Sequence, residues 1–247
     1  MMKNIPLILI SYNRLSYLRK QVDYYRKIGF SRIVILDNAS TYEPLLVWFE
    51  QIRQENIEVI LLNENYGPYA LYRVPELFKK YAQGYYFMSD CDIIPDSNCP
   101  DDFAEYFYNA LMNNQNITKV GFSLKIDDLP DYYALKPKVL KWEQKFWDKK
   151  KMIGAFYQAA IDTTFALYRP NILQTDERWW HSLRADKPYQ AIHLPWYHNT
   201  NELDAETIHY QLTIKKGNSA WDRKEIIEYF KKDYFVFHKP RFMRNSK

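Results

Sequence analysis

The stretch 83-QGYYFMSDCDIIPD-96 closes an apolar run, Tyr85 to Met88, with two aspartates one residue apart, Asp90 and Asp92. Water solvates carboxylates and a protein core does not. A buried strand that stops on two of them therefore leads into either an acidic turn or a cradle for a divalent cation. A lone Asp-x-Asp is a weak signal, because short acidic turns match it by chance. Its place in the chain makes it more specific.

Upstream lie three continuous β-rich runs, IPLILI (Ile5–Ile10), RIVILDNAS (Arg32–Ser40) and IEVILLNEN (Ile57–Asn65), of the kind covered on both faces. Between them SYNRLSYLRKQVDYYRKIG sets Leu15, Leu18, Val22 and Tyr25 at helical spacing, with Gly29 as a C-cap. YEPLLVWFEQIRQE and VPELFKKYAQG read as two further helices. The Asp-x-Asp run is thus the fourth strand of a series. Such alternation predicts an α/β fold, with parallel βαβ units in an open sheet flanked by helices. Ligands bind such sheets at the carboxyl ends of the strands. Those ends carry Ser11-Tyr12-Asn13, Asp37-Asn38, Asn63 to Gly67, and Asp90-Cys91-Asp92, and all are polar.

The second half predicts a helix in DDFAEYFYNALMNN, a strand in KVGFSLKI and a basic aromatic helix in VLKWEQKFWDKK. A strand in AAIDTTFALYR (Ala159–Arg169) and a helix near Glu202–Lys215 follow. No repeat or Gly/Ser linker divides the 247 residues, so one domain is expected. Aromatics make up 17%, and they serve either as core or as platforms for sugars and bases. The net charge is +4, while Lys231 to Lys247 holds six basic residues against one acid, a net of +5. The rest is close to neutral, which argues against a broad nucleic-acid face. The tail is either a solvated end or a dock for anionic lipid or a phosphorylated acceptor.

Two cysteines, Cys91 and Cys99, make no disulfide framework, and a reducing cytoplasm fits. The opening MMKNIPLILISYNR reads as a strand and not a signal peptide. With six glycines and neither GxGxxG nor GxxxxGK[ST], the usual phosphate cradles are missing. A bound nucleotide diphosphate would have to be neutralised by a metal.

PLILISYNRLSYLRKQV, IVILDNAS, NENYGPYAL and YYFMSDCDIIP, in that order, resemble glycosyltransferase family 2 enzymes of the GT-A fold. VGFSLKI, AAIDTTFALYR and HLPWY resemble the acceptor half of bacterial and viral polysaccharide enzymes of that group. The resemblance spans roughly residues 4 to 200. It implies a Rossmann-like, mostly parallel sheet in a single domain, with a nucleotide-sugar half (1–100), an acceptor half (101–220) and the basic tail (221–247). It also implies Mn²⁺- or Mg²⁺-dependent transfer, usually inverting, from a nucleotide sugar, UDP favoured, to a glycan or lipid-linked acceptor. A cytoplasmic protein, with peripheral membrane contact through the tail, would suit it.

By position, the resemblance implies that Ser11, Tyr12 and Asn13 line the nucleotide, that Asp37 and Asn38 read base or ribose, and that Asn65 to Pro68, Gly67 included, lie near base and sugar. Asp90 is the ribose-side acid of the pair and Asp92 the direct metal ligand. Asp162 falls at the catalytic base and His193 at a third metal ligand. Two departures matter: Asp162 follows Ile161 where many members carry an acid pair, and the QxxRW motif of processive synthases is missing, which implies one addition per encounter.

Each residue has a plainer reading. Asp37 serves a turn or helix cap equally well. Asp162, in an apolar strand, is either hydrogen-bonded by Thr163 or Thr164 or functional. His198 rivals His193. Trp196 and Tyr197 stack on an acceptor sugar or pack under their loop. Trp179 and Trp180 suit packing, and Cys91 suits the core. As rival functions, a phosphatase would place the acid pair after its first strand, and a sugar nucleotidyltransferase would carry a Gly-rich loop. A carbohydrate-binding module would turn nothing over.

Overall fold

Leu7, Leu9, Ile33 and Ile35 pack into one hydrophobic core, and Ile8, Ile10, Val34 and Leu36 into another. Successive strand residues point to opposite faces, so a sheet with a core on each side needs unbroken apolar strands. The computed structural model describes residues 2–55, 57–199 and 201–214; the basic-tail expectation lies outside them.

The elements run β1 (Leu7–Ser11), α1 (Leu15–Lys27), β2 (Ile33–Asp37), α2 (Glu43–Arg53), β3 (Glu58–Leu61), α3 (Ala70–Arg73), α4 (Pro75–Tyr81) and β4 (Tyr86–Asp90). Then come β5 (Ile93–Pro95), α5 (Phe103–Asn113), β6 (Lys119–Leu124), α6 (Lys136–Glu143), β7 (Met152–Ile153), β8 (Phe156–Gln158), β9 (Ala166–Tyr168), β10 (Ser182–His193) and α7 (Ala205–Thr213). They form one open sheet, ordered β3-β2-β1-β4-β9-β6-β10-β8-β7, with β5 paired to β10. The longer strands β1, β2, β3, β4, β6 and β10 all run one way; β9 is antiparallel between β4 and β6. The expected α/β architecture with a mostly parallel sheet is therefore present. α1, α2 and α5 cover one face, and α3 and α4 the other. No helix among the described residues is long and apolar enough to cross a membrane.

Much of the aromatic content is core. Tyr25, Phe30, Phe87, Phe103, Phe122 and Phe165 form one cluster, with ring centres from 5.0 Å (Phe103–Phe122) to 6.5 Å (Tyr25–Phe103) apart.

The expected strand Ala159–Arg169 is shorter than its apolar character suggested: only Ala166–Tyr168 is strand. Thr163 N, Thr164 N and Thr164 Oγ1 all donate to Asp162 Oδ1, and Thr163 O accepts from Asp90 N. Asp and Thr side chains compete with ladder bonds in this way, so the chain bends where the acid sits.

Gly121 in β6 sits against that bend. A Cβ there would lie 2.3 Å from Phe165 O and 2.8 Å from Ala166 Cβ. Gly121→Ala is expected to lower stability by about 2–4 kcal/mol, because backbone atoms must move. A thermal midpoint within a degree of wild type would refute the close approach.

Beside it, the Lys119 amine is fully buried, 2.9 Å from the Trp179 ring centre and without a hydrogen-bond partner. Burial pushes its pKa from 10.5 down to about 6. Between those values the unfolded chain binds a proton that the folded chain does not. This group therefore makes stability rise with pH across that window. Lys119→Met should raise the melting temperature at pH 7 and flatten its rise toward pH 9; an unchanged slope would show the amine to be charged when folded.

Candidate functional site

A cavity of about 380 Å³ opens at the carboxyl ends of β1, β2 and β4. Ser11, Tyr12, Asn38, Asn65, Gly67, Asp90, Asp92, Asp162 and His193 all line it. Parallel strands of matched register bring the first of these together: Ser11 lies beside Asp37, and Ile10 beside Asp90.

The acids differ in what holds them. Asp90 Oδ2 accepts a 2.6 Å bond from Thr163 Oγ1. Burial, with the charge of Asp92 added, pushes its pKa well above the usual carboxylate range. Asp92 Oδ1 has no partner, while its Oδ2 lies 3.6 Å from His193 Nε2, beyond hydrogen-bond reach. His193 Nδ1 is also unpartnered, and burial lowers its pKa, favouring the neutral ring. A carboxylate facing an imidazole nitrogen at that spacing suits two ligands of one ion, each about 2.1 Å from it. Among the described residues no three His, Cys, Asp or Glu side chains form a ready metal cluster. An ion here would thus rest on two protein ligands and take its remaining oxygens from substrate or water.

Asp162 is exposed to the cavity. Its three hydrogen bonds converge on Oδ1, and no described residue donates to Oδ2. Burial would raise its pKa, but the charge of Arg184 and those three bonds outweigh it and hold the carboxyl below its usual value. Arg184 is itself buried, pairing with Glu143 at 3.0 Å and donating from Nε to Ala160 O, so it also braces the loop.

Other expected site residues sit elsewhere. Asn13 is buried outside the cavity lining: its amide oxygen accepts from Thr41 N and Tyr42 N, and Nδ2 donates to Thr213 Oγ1. Asp37 is 1% exposed beneath the strand end, accepting from Ser40 N and Ser40 Oγ, which is the turn reading. Burial raises its pKa. Trp196 is 1% exposed in the core, its ring 4.6 Å from that of His193. Tyr197 donates to Asp128 and does not reach the cavity. Neither aromatic is placed to stack on an acceptor there. Trp179 is buried, whereas Trp180 is half exposed. Cys91 is buried against the core, as expected. His198 lines the cavity, with Nε2 unpartnered.

Sequence reasoning missed Arg14, Tyr69, Tyr133, Thr207, Tyr210 and Gln211, which also line the cavity. Arg14 is 6% exposed and forms no ion pair among the described residues. Its guanidinium sits 3.8 Å from the Tyr210 ring centre and donates to Thr207 Oγ1. A buried cation without a carboxylate partner is a costly arrangement that an anionic ligand would relieve. The signal available in the sequence was the Arg immediately after Ser11-Tyr12-Asn13. α7 reaches the site across the whole chain: Tyr12 OH donates to Thr213 O, and Glu206 accepts from Ser16 N and Ser16 Oγ at the start of α1.

No family model matches the chain, and no curated protein matches it. Among solved structures it is similar to the mannosyltransferase PcManGT from Pyrobaculum calidifontis in complex with GDP-Man and Mn²⁺, at 11% identity and a TM-score of 0.49 over 85% of this chain and 60% of that one. It is also similar to S. aureus TarS 1-349 in complex with UDP, at 13% identity and a TM-score of 0.46 over 99% of this chain and 75% of that one. A third is the Mycobacterium tuberculosis glucosyl-3-phosphoglycerate synthase in complex with Mn²⁺, UDP-glucose and phosphoglyceric acid, at 16% identity and a TM-score of 0.41 over 67% of this chain and 56% of that one. The chain thus spans three fifths of the length of the mannosyltransferase. At such scores these are likenesses of outline, and they assign no role to any side chain.

Proposed function

We propose that the chain is a metal-dependent glycosyltransferase of the GT-A type. It would move a sugar from a nucleotide diphosphate, UDP favoured, to a hydroxyl of a glycan or lipid-linked acceptor, with inversion. The observation that carries this reading is the pair Asp92 Oδ2 and His193 Nε2, facing each other 3.6 Å apart at the mouth of a parallel sheet. Asp92 and His193 would hold Mn²⁺ or Mg²⁺, with Asp90 on the ribose side. Once bound, the ion supplies Lewis-acid neutralisation of the diphosphate.

The chain's own residues do the rest. Ser11, Tyr12, Asn38, Asn65 and Gly67 shape the nucleotide side of the cavity. Arg14 offers the diphosphate a charge-assisted donor. Asp162 Oδ2 takes the proton of the acceptor hydroxyl as that oxygen bonds to the anomeric carbon. The bond from that carbon to the phosphate oxygen breaks on the opposite face, and its electron pair leaves with the nucleotide. A single displacement inverts the centre. Two buried thiols suit a reducing, cytoplasmic setting.

A thermal-shift panel of UDP-, GDP- and dTDP-sugars, each with and without Mn²⁺, tests the reading. A donor at a hundred times its Kd should stabilise the fold by about 2.7 kcal/mol, and only with the metal present at full strength. A panel in which no nucleotide shifts the midpoint would sink the proposal. Formation of nucleoside triphosphate and sugar 1-phosphate when pyrophosphate is added to the nucleotide sugar, with no release of nucleotide diphosphate, would make the chain a nucleotidyltransferase.

A further inference from the structure

Thr163 touches two acids to which the proposed reaction gives different tasks. Its amide N donates to Asp162 Oδ1 at 2.7 Å, and its hydroxyl donates to Asp90 Oδ2 at 2.6 Å. Its carbonyl accepts from Asp90 N at 2.9 Å. The residue is 5% exposed and lines the cavity.

β4 pairs with β9 as far as Met88 and Ala166, and that register, if continued, would set Asp90 opposite Thr164. The bend slips the pairing by one residue, and such a slip turns a different side chain to a given face. Thr163 Oγ1 thus reaches Asp90, while Thr164 Oγ1 goes to Asp162.

The backbone on either side is already held. Gln21 Nε2 donates to Asp90 O at 2.9 Å and to Ile93 O at 2.6 Å, which fixes the turn of the acid pair. Ile161 N donates to Ser182 Oγ and Arg184 Nε to Ala160 O, each at 2.9 Å, which fixes the loop to β10. What remains loose is the rotation of the Asp90 carboxylate. Among the described residues only the Thr163 hydroxyl donates to it, so that bond decides where the other oxygen, Oδ1, points. A β-branched side chain is stiff at χ1, which makes threonine a rigid pointer.

We propose that Thr163 is a positioning residue for the nucleotide: it acts through Asp90, holding Oδ2 so that Oδ1 meets the ribose hydroxyls. The inference rests on the glycosyltransferase reading, in which Asp90 stands on the ribose side, and its test separates the two.

UDP, GDP and dTDP are each titrated with Mn²⁺ into the full chain by calorimetry, and the tightest is followed through the variants. Thr163→Val should weaken it about tenfold, the loss of one hydrogen bond to a charged group. Thr163→Ser keeps the hydroxyl and should stay within about threefold of wild type. Thr164→Val removes a hydroxyl that serves Asp162 alone and should change nucleotide affinity less than about twofold. Asp90→Ala should weaken binding at least as far as Thr163→Val. On that background Thr163→Val should cost less than about twofold more, since both changes strike one interaction. Should the valine variant not fold, Thr163→Ala removes the same hydroxyl and is read in its place. Wild-type affinity without the hydroxyl, losses that add in the double variant, or a serine variant as weak as the valine one would each overturn the proposal. So would an equal loss in Thr164→Val, which would mark general damage to the loop. If the wild type binds nucleotide with Mn²⁺ while these results fail, only this inference falls; if it binds none of the three, both fall.

Discussion

Asp162→Asn is expected to cut transfer by about 10²–10⁴-fold while leaving nucleotide–Mn²⁺ binding within a factor of two. The substitution is unusually clean because the hydrogen bonds to this side chain fall on one atom. An amide oxygen can replace Oδ1 and keep the bonds from Thr163 N, Thr164 N and Thr164 Oγ1. The amide nitrogen then takes the place of Oδ2 in the cavity, where it cannot accept a proton. Loss of the charge opposite Arg184 should lower the thermal midpoint. Single-turnover kinetics with saturating donor, beside a nucleotide titration, would check this. Asp162 has a structural role instead if the variant loses nucleotide binding together with turnover.

Asp92→Ala should pull activity and stability in opposite directions. Asp92 Oδ1 has no protein partner, and the carboxylate shares its wall with Asp90. Removing it relieves like-charge crowding, so the metal-free protein should melt a few degrees higher. Transfer should fall by at least about 10²-fold, and the stabilisation by Mn²⁺ with nucleotide should disappear. A purely structural acid would show the reverse, with a lower midpoint and intact turnover. Melting curves with and without Mn²⁺ distinguish the two without any knowledge of the acceptor.

What could be read from the amino-acid order was whatever depends on neighbours in the chain. Unbroken runs such as IPLILI state that both faces are covered, and polar residues where such runs stop state where a ligand would sit. Contacts across long separations were not legible. Arg14 meets Thr207 and Tyr210 only because α7 folds back over the first strand end, and no local pattern announces that. The direction a side chain faces was hidden too. Trp196 and Tyr197 have the composition of a sugar platform, yet the turn after β10 sends the indole into the core and the phenol to Asp128. Asp37 satisfies itself on Ser40 three residues away, a local alternative the DNAS stretch offered from the outset. The apolar look of AAIDTTFALYR suggested more strand than forms, because one acid followed by two threonines is enough to bend it.

The bond from Ser16 to Glu206 joins groups 190 positions apart, and it bears on how the protein is made. Helices and strands of the first hundred residues can condense as they leave the ribosome, but the first turn of α1 must wait for its acceptor oxygens. Nascent chains halted before Asp204 should therefore collapse into a sheet that cannot yet retain nucleotide. Competence to bind would then arrive only after the scaffold has set.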